Sequence, residues 1–214
     1  MTNAKVIIFI LFSLSLQVWA YTAKEGNVSA TFGPFFSQTD YRGSSTYTKA
    51  PVFADFGLIV QGDINETGAL EIAIFNMHKD YFINEDGKTL VEETRALDFD
   101  LGYRYWLNST FAAGLAFSSA YSMGEPRLIH TDFIVGQLES SAHDPVEYGL
   151  DFSLQGELWR RDAYSIIADA RYNLSFTNKS HEQGNHYGIE IGFKYLIQEK
   201  FPEMPKQSDN DEKD

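Results

Sequence analysis

The segment RALDFDLGYRYWL, residues 95–107, alternates large apolar side chains with small or charged ones. Its odd positions hold Leu97, Phe99, Leu101, Tyr103, Tyr105 and Leu107, and its even positions hold Ala96, Asp98, Asp100, Gly102, Arg104 and Trp106. Successive side chains of a strand point to opposite sides, so the segment predicts a β-strand with one apolar face. That face would form the core of a soluble sheet protein but would meet lipid in an outer-membrane barrel.

The same alternation recurs eight times and predicts an all-β chain. The segments are residues 27–37, 51–62, 69–82, 94–107, 110–123, 146–160, 163–176 and 186–198. Each is close to the roughly ten residues that a tilted membrane-spanning strand needs. Short, turn-rich connections follow the second, fourth and sixth segments, whereas longer loops, among them residues 84–93 and 124–145, follow the others. This pattern predicts an eight-stranded antiparallel up-and-down transmembrane β-barrel.

The volume of such a barrel indicates which face points inward. An eight-stranded barrel has an interior just wide enough for side chains to fill, so it cannot hold the Leu, Phe, Ile and Tyr of all the apolar faces. The opposite faces carry small residues such as Gly57, Gly114, Gly149 and Gly188, which suit a narrow lumen. We therefore predict that the apolar faces point outward to lipid.

The inward faces also carry many of the charged strand residues, and buried charges are tolerated when they are paired and hydrogen-bonded. We predict an interior charge network with a structural role, formed by Asp98, Asp100, Arg104, Asp151, Glu157, Asp169, Arg171, Glu190 and Lys194. Asp55 and Glu71 share this face, so the acids outnumber the bases. Some of these carboxyl groups must therefore be protonated, hydrated or bound to a cation.

This pattern resembles the small eight-stranded outer-membrane barrels of the OmpA and OmpX type. The resemblance implies contact with outer-membrane lipids and lipopolysaccharide. It also implies that EIGFKYLI, residues 190–197, is the signal that the barrel-insertion machinery reads, through Glu190, Gly192, Tyr195 and Ile197. The chain departs from that family because it continues past this segment. It also carries Pro34 within the first strand, where we expect a bulge or an early exit.

The two ends of the chain differ from the barrel segments. Lys5, a short apolar run and small residues at Val18 and Ala20 predict a secretory signal peptide at residues 1–20, with a helical anchor as the less favoured alternative. Residues 21–198 then form the barrel, and the acidic residues 199–214 form a disordered periplasmic tail. An even number of strands predicts that both termini are periplasmic and that the long loops are extracellular.

Composition excludes some classes of function. The formal net charge of −13 argues against nucleic acid as a partner, because nucleic-acid binding needs clustered Lys and Arg. The chain has no cysteine, so an exported domain must be held together without disulfides. No cofactor is predicted, and no residue spacing matches a metal-ligand motif.

The histidines offer the one alternative chemistry. All five, His78, His130, His143, His181 and His186, fall in or beside the predicted loops. The loop segments HTD (130–132) and SSAHD (140–144) suggest a lipid-A-modifying enzyme with a His/Ser/Asp site as an alternative function. No family catalytic motif can be aligned here, so we expect no catalytic activity and a structural or surface-interaction role, with an unknown partner for the loops. A soluble, lipocalin-like secreted binding protein is the third alternative.

Overall fold

The computed structural model describes residues 21–41, 49–134 and 136–198, so the predicted signal peptide and tail lie outside the described residues. Ten strands are present in these ranges. They are β1 (Asn27–Thr39), β2 (Phe53–Asp63), β3 (Gly68–Glu85), β4 (Lys88–Trp106), β5 (Phe111–Ser122), β6 (Arg127–Thr131), β7 (Val146–Arg161), β8 (Tyr164–Ser175), β9 (Glu182–Gln183) and β10 (His186–Gln198).

Eight of these strands close into a barrel. The order β1-β2-β3-β4-β5-β7-β8-β10 runs around the ring with antiparallel pairing throughout, and β10 pairs with β1 to complete it. The two short strands β6 and β9 are additions at the edges of β4 and β3. The predicted fold class is therefore confirmed, and the connections after β2, β4 and β7 are short, as predicted.

Burial alternates along the barrel strands as the parity argument predicts. In β4, Leu101 is 65% exposed, whereas Arg104, three residues on, is fully buried. The outward apolar residues form a band around the barrel that we call the apolar belt. Its members include Phe32, Phe36, Phe56, Leu58, Val60, Leu70, Ile72, Leu101, Tyr103, Tyr105, Leu115, Phe117, Phe152, Leu154, Ile166, Ile189, Ile191 and Phe193.

The expected bulge or early exit at Pro34 is wrong. β1 keeps one register with β10 from Asn27↔Gln198 to Thr39↔His186, and only residues 33 and 34 go unpaired on that side. Proline lacks the N–H that a ladder bond would need, so the loss is local. The neighbouring glycine allows the two strands to stay close, because a Cβ atom on Gly33 would lie 2.2 Å from the carbonyl oxygen of Ile191.

The predicted loop at residues 84–93 is also wrong. β3 and β4 pair continuously from Gly68↔Tyr105 to Glu85↔Lys88 around a two-residue turn. Asp86 and Gly87 both have positive φ, 51° and 76°, as a type I′ hairpin turn requires. The strands therefore run well past the apolar belt. We call the end of the barrel that carries this turn the outer end, the opposite end the inner end, and residues 77–96 the outer ribbon.

The outer ribbon is covered by neighbouring segments. β6 pairs with β4 on one edge, and β9 pairs with β3 on the other. On the outward face, Phe82 and Val91 are fully buried beneath Tyr41 and Ala50, with Ile129 packed against the same cluster. The predicted loop 124–145 is thus partly ordered, since it contains β6 and a 3₁₀ turn at Ser141–His143.

Candidate functional site

The centre of the lumen holds a compact network of ion pairs. Arg171 Nη1 lies 3.0 Å from Asp100 Oδ2 and 2.9 Å from Asp151 Oδ1. Its other nitrogens lie 2.6 Å from Glu71 Oε1 and 3.0 Å from Asp169 Oδ1. One guanidinium therefore contacts four carboxylates, which come from β3, β4, β7 and β8.

A second arginine shares two of these carboxylates. Arg104 Nε lies 2.5 Å from Glu71 Oε2, and Arg104 Nη2 lies 2.8 Å from Asp169 Oδ2. Ser153 Oγ accepts a further bond from Arg104 at 3.1 Å. We call Glu71, Asp100, Arg104, Asp151, Asp169 and Arg171 the waist network. All six side chains are at most 5% exposed.

The waist contacts cross the lumen. In the ring order, β3 and β8 are on opposite walls, so the Glu71–Arg171 pair spans the barrel. β2 and β7 are also opposite, and the side-chain amide of Gln61 donates to Gln155 at 3.2 Å. Side chains that meet from opposite walls leave no straight path between them. The waist of the barrel is therefore filled.

Four predicted members lie outside the waist network. Glu157 pairs with Arg160 through two contacts of 2.6 Å, and Lys194 donates to Gln61 at 2.8 Å rather than to a carboxylate. Asp98 and Glu190 are buried, but Oδ1 of Asp98 and both carboxyl oxygens of Glu190 have no hydrogen-bond partner among the described residues. Parity predicted which face each residue occupies, but it could not predict these partners.

The inner end of the barrel is closed by residues 21–24, which we call the inner plug. The Tyr21 ring lies 4.6 Å from the Trp106 ring, with the Lys194 ammonium 4.9 Å and the Arg160 guanidinium 4.6 Å from its centroid. The Tyr21 hydroxyl donates to Asp63. Burial, and after it the Asp63 carboxylate, raises the pKa of Tyr21. No alternation marks this segment, so sequence reasoning missed it.

A further layer lies on the outer side of the waist. Lys79 Nζ lies 2.5 Å from Glu147 Oε1, and the Tyr81 hydroxyl donates to Glu147 Oε2 at 2.6 Å. The same part of the lumen contains a hydrophobic cluster that includes Phe35 and Phe75. The predicted network omitted Lys79 and Glu147, although each has the inward parity of its strand.

The outer end is closed by residues 138–144, which we call the outer lid. Glu92 accepts two hydrogen bonds from Ser140, one from the hydroxyl at 2.6 Å and one from the backbone N–H at 3.1 Å. Glu182 likewise accepts two hydrogen bonds from Ser141, one from the hydroxyl at 2.5 Å and one from the backbone N–H at 2.7 Å. Two successive serines are thus each held by a carboxylate from outside the lid. Both serines are buried in the mouth of the barrel.

The lid contains the residue types of a catalytic triad but not its order of contacts. A triad places the serine hydroxyl on the imidazole and the acid on the other ring nitrogen. Here His143 Nε2 lies 3.1 Å from Glu92 Oε1, while Ser140 donates to the other oxygen of the same carboxylate. Burial acts to raise the pKa of Glu92, but the bonds from Ser140 and His143 lower it below its ordinary value.

The other loop-side pairs are isolated from this lid. His130 Nε2 lies 3.3 Å from Asp132 Oδ1 on the surface. His78 Nδ1 lies 2.8 Å from Asp55 Oδ1, and its backbone N–H donates to Asp55 Oδ2 where the β2–β3 ladder ends. Within residues 21–41, 49–134 and 136–198, no three His, Asp or Glu are grouped to hold a metal ion.

The four residues of the predicted insertion signal take different positions in β10. Tyr195 and Ile197 are 43% and 45% exposed on the outer surface, whereas Glu190 faces the lumen. Gly192 packs against β1, where a Cβ atom would lie 2.3 Å from Cγ2 of Thr31. No helix in the described part of the chain is long and apolar enough to span a membrane.

Comparisons with known proteins support the fold. No protein-family model matches the chain, and no curated protein sequence matches it significantly. Among solved structures, the outer membrane protein OprG from Pseudomonas aeruginosa is similar with a TM-score of 0.59 and 11% identity, over 83% of this chain and 99% of OprG. At this identity the likeness shows a shared fold, which is that of small outer-membrane barrels.

Two other solved structures are similar over most of the chain. Ail of Yersinia pestis, in complex with the heparin analogue sucrose octasulfate, has a TM-score of 0.46 and 13% identity over 80% of this chain and 99% of Ail. The outer membrane protein AlkL, determined in lipid bilayers, has a TM-score of 0.41 and 8% identity over 86% of this chain and 95% of AlkL.

Proposed function

We propose, from this shared fold and from the apolar belt, that the chain is a bacterial outer-membrane protein whose filled barrel anchors the structures at its outer end. The role is structural or surface-interacting, with no catalytic activity. Outer-membrane lipids and lipopolysaccharide are its surroundings, and the barrel-insertion machinery is its partner during biogenesis. The outer ribbon and the loops around it are the parts available to an external partner.

The distribution of polarity is the observation that carries this proposal. Leu101 and Phe32 are 65% and 59% exposed on the outside, while Arg104 and Asp169 are fully buried inside. Soluble monomers rarely expose contiguous apolar patches of more than a few hundred Å². A lipocalin-like soluble protein would carry the opposite arrangement, so this observation favours a barrel in lipid.

The filled lumen supports an anchor rather than a pore. Glu71–Arg171 and Gln61–Gln155 link opposite walls, and the inner plug and the outer lid close the two ends. We expect no steady conductance in planar bilayer recordings of the purified barrel. A stable, ion-selective current from the wild-type protein would contradict the anchor role but not the membrane location.

The membrane location is tested by two matched arginine substitutions. Leu101 and Ile134 are both large, apolar and exposed, at 65% and 79%, but only Leu101 belongs to the apolar belt. Leu101→Arg should destabilise the folded barrel by about 2–4 kcal/mol in lipid, whereas Ile134→Arg should have little effect. Unfolding in urea, followed by the gel mobility of unboiled samples, measures both. Equal tolerance of the two substitutions, with the protein in the soluble fraction, would end the proposal.

Orientation is tested by single cysteines, since the chain has none of its own. Glu139 lies in the outer lid, and Asn65 lies in the short β2–β3 turn, so they are at opposite ends of the barrel. We expect an impermeant maleimide to label a cysteine at position 139 on intact cells and not one at position 65. Labelling at position 65 alone would indicate the opposite orientation in the membrane.

A further inference from the structure

Glu190 and Asp169 stand directly opposite each other on β10 and β8, facing the lumen. Both side chains are fully buried. Residues paired in this way have Cβ atoms about 4.5–5.5 Å apart, and like charges directly opposite are destabilising. Two carboxyl groups that share such a site do not both ionise readily.

The two carboxyl groups differ in their partners. Asp169 lies 2.8 Å from Arg104 and 3.0 Å from Arg171, so its negative charge is compensated. Neither carboxyl group has a hydrogen-bond partner among the described residues, but Glu190, unlike Asp169, also has no ion-pair contact there. A buried carboxylate without a partner is strongly disfavoured, and such a group neutralises by taking up a proton.

The charges that face Glu190 leave no excess cation for it. Asp169 and Arg171 face it from β8, Glu71 from β3 and Arg104 from β4. The two arginines already contact four carboxylates. Lys194, on the same strand as Glu190, donates to Gln61 instead. An ionised Glu190 would therefore add a fifth negative charge to a site with two positive ones.

The barrel wall around Glu190 is shaped to contain this carboxyl group. A Cβ atom at Gly57 would lie 2.7 Å from Oε2, and one at Gly192 would lie 3.1 Å from Oε1. The Glu190 carboxyl group therefore shares the space beside these two glycines with the Phe75 ring and the Thr31 side chain. We propose that Glu190 and Asp169 form a buried proton-binding pair, in which Glu190 is a neutral carboxylic acid at neutral pH and Asp169 is the carboxylate.

Infrared spectroscopy of the folded full-length barrel tests this pair. The wild-type protein should show a protonated-carboxyl C=O band at pH 7 that is weaker in Glu190→Gln by the absorption of one carboxyl group. The matched control is Glu157→Gln, because Glu157 is also buried but forms two contacts with Arg160. The control variant should retain the band. A wild-type minus Glu190→Gln spectrum without that band would overturn the proposal.

Unfolding in urea gives a second test, in which the roles of the two variants are reversed. Glutamine has nearly the shape of a protonated glutamate, so Glu190→Gln should unfold at the same urea concentration as wild type at pH 7, whereas Glu157→Gln should unfold earlier. Arg104 and Arg171 are the two cations that face Glu190, and Arg104 Nη1 has no hydrogen-bond partner among the described residues. An ionised Glu190 would pair with one of them. If that pair forms, Glu190→Gln will be destabilised and the proposal fails.

A third measurement needs no substitution, so it remains decisive if Glu190→Gln does not fold. Carbon-13 NMR of glutamate-labelled wild-type barrel should show one side-chain carboxyl resonance at the protonated position at pH 7. A spectrum with all glutamate carboxyl resonances at the ionised position would contradict the proposal.

Discussion

At the waist of the lumen, four carboxylates from four strands meet two arginines, whereas at the outer mouth two carboxylates hold the N–H and hydroxyl groups of one short segment. The waist residues lie on strands whose backbones are fixed by ladders on both sides. The lid residues lie in a connection with few ladder bonds of its own. Waist contacts should therefore stabilise the whole barrel, and lid contacts only a local unit.

Removal of the central cation should break the waist most severely. Arg171→Ala leaves Glu71, Asp100, Asp151 and Asp169 with too little positive charge, and breaking a buried ion pair costs about 3–5 kcal/mol. The temperature at which gel mobility changes should fall strongly at pH 7. The loss should be smaller at acid pH, where the orphaned carboxylates can protonate. An unchanged transition would show that the network does not stabilise the fold.

Loss of one lid carboxylate should have a smaller and local effect. Glu182→Gln weakens the bonds to the hydroxyl and N–H of Ser141 and to the N–H of Lys179, and a hydrogen bond to a charged group contributes about 1.5–3 kcal/mol. Amide hydrogen exchange at residues 141–144 should accelerate by roughly ten-fold or more. The gel-mobility transition should not move. A global loss of stability would contradict the distinction between waist and lid.

Asp80 is a buried carboxyl group of the outer ribbon that differs from those of the waist and of the lid. Its Oδ1 atom accepts no hydrogen bond from an arginine, a serine or any other described residue. Burial, with a contribution from Glu93, raises the pKa of Asp80 to about 7, against opposing effects of Arg127 and His78. When the pKa of a carboxyl group is higher in the folded than in the unfolded state, the protein loses stability as pH rises. The loss begins near pH 4, the ordinary pKa of Asp, and continues through the pKa of the folded state.

Asp80→Asn should therefore stabilise the outer ribbon above pH 7, by about 1–2 kcal/mol, and have little effect near pH 4. Hydrogen exchange of the ribbon amides at both pH values measures the gain. A variant that loses stability at pH 8 would show that the ionised Asp80 has a favourable partner.

The smallest effect is expected for an ion pair outside both sites. Arg127 contacts both oxygens of Glu93 at 3.0 and 2.9 Å, but its side chain is 69% exposed. Exposed pairs contribute about 0–1 kcal/mol, so Arg127→Ala should leave the gel-mobility transition almost unchanged. It is the control for Arg171→Ala, since both substitutions remove an arginine that contacts carboxylates. A large loss here would mean that burial does not explain the difference.

The waist was largely predictable, because parity along a strand fixes the face of each side chain. Asp100, Arg104, Asp151, Asp169 and Arg171 were all placed inward from the sequence, and all are buried. The partners were not predictable. Which carboxylate reaches which arginine depends on the order of strands across the lumen and on side-chain rotamers, neither of which a periodic pattern contains.

The outer mouth was poorly predictable for a different reason. The sequence analysis named Ser140 and Ser141 only as part of a possible His/Ser/Asp site. Their carboxylate partners Glu92 and Glu182 could not be predicted, because they lie more than forty residues away in sequence. The continuous β3–β4 hairpin had a readable signal, the Asp-Gly dipeptide at residues 86–87. It was missed because residues 84–93 do not alternate apolar with polar side chains.

The length of the outer ribbon determines how far the barrel extends above the apolar belt. Residues 77–85 of β3 extend about 30 Å along the strand, which a tilt of 35–45° reduces to about 20–25 Å of height above the apolar belt. Because β6 and β9 pair with its two edges, the ribbon is a hydrogen-bonded extension of the barrel wall rather than an irregular loop. In an outer membrane, and in the orientation proposed above, its Asp86–Gly87 tip would lie at this height among the sugars of the outer leaflet, so access to that tip would depend on the length of those sugars.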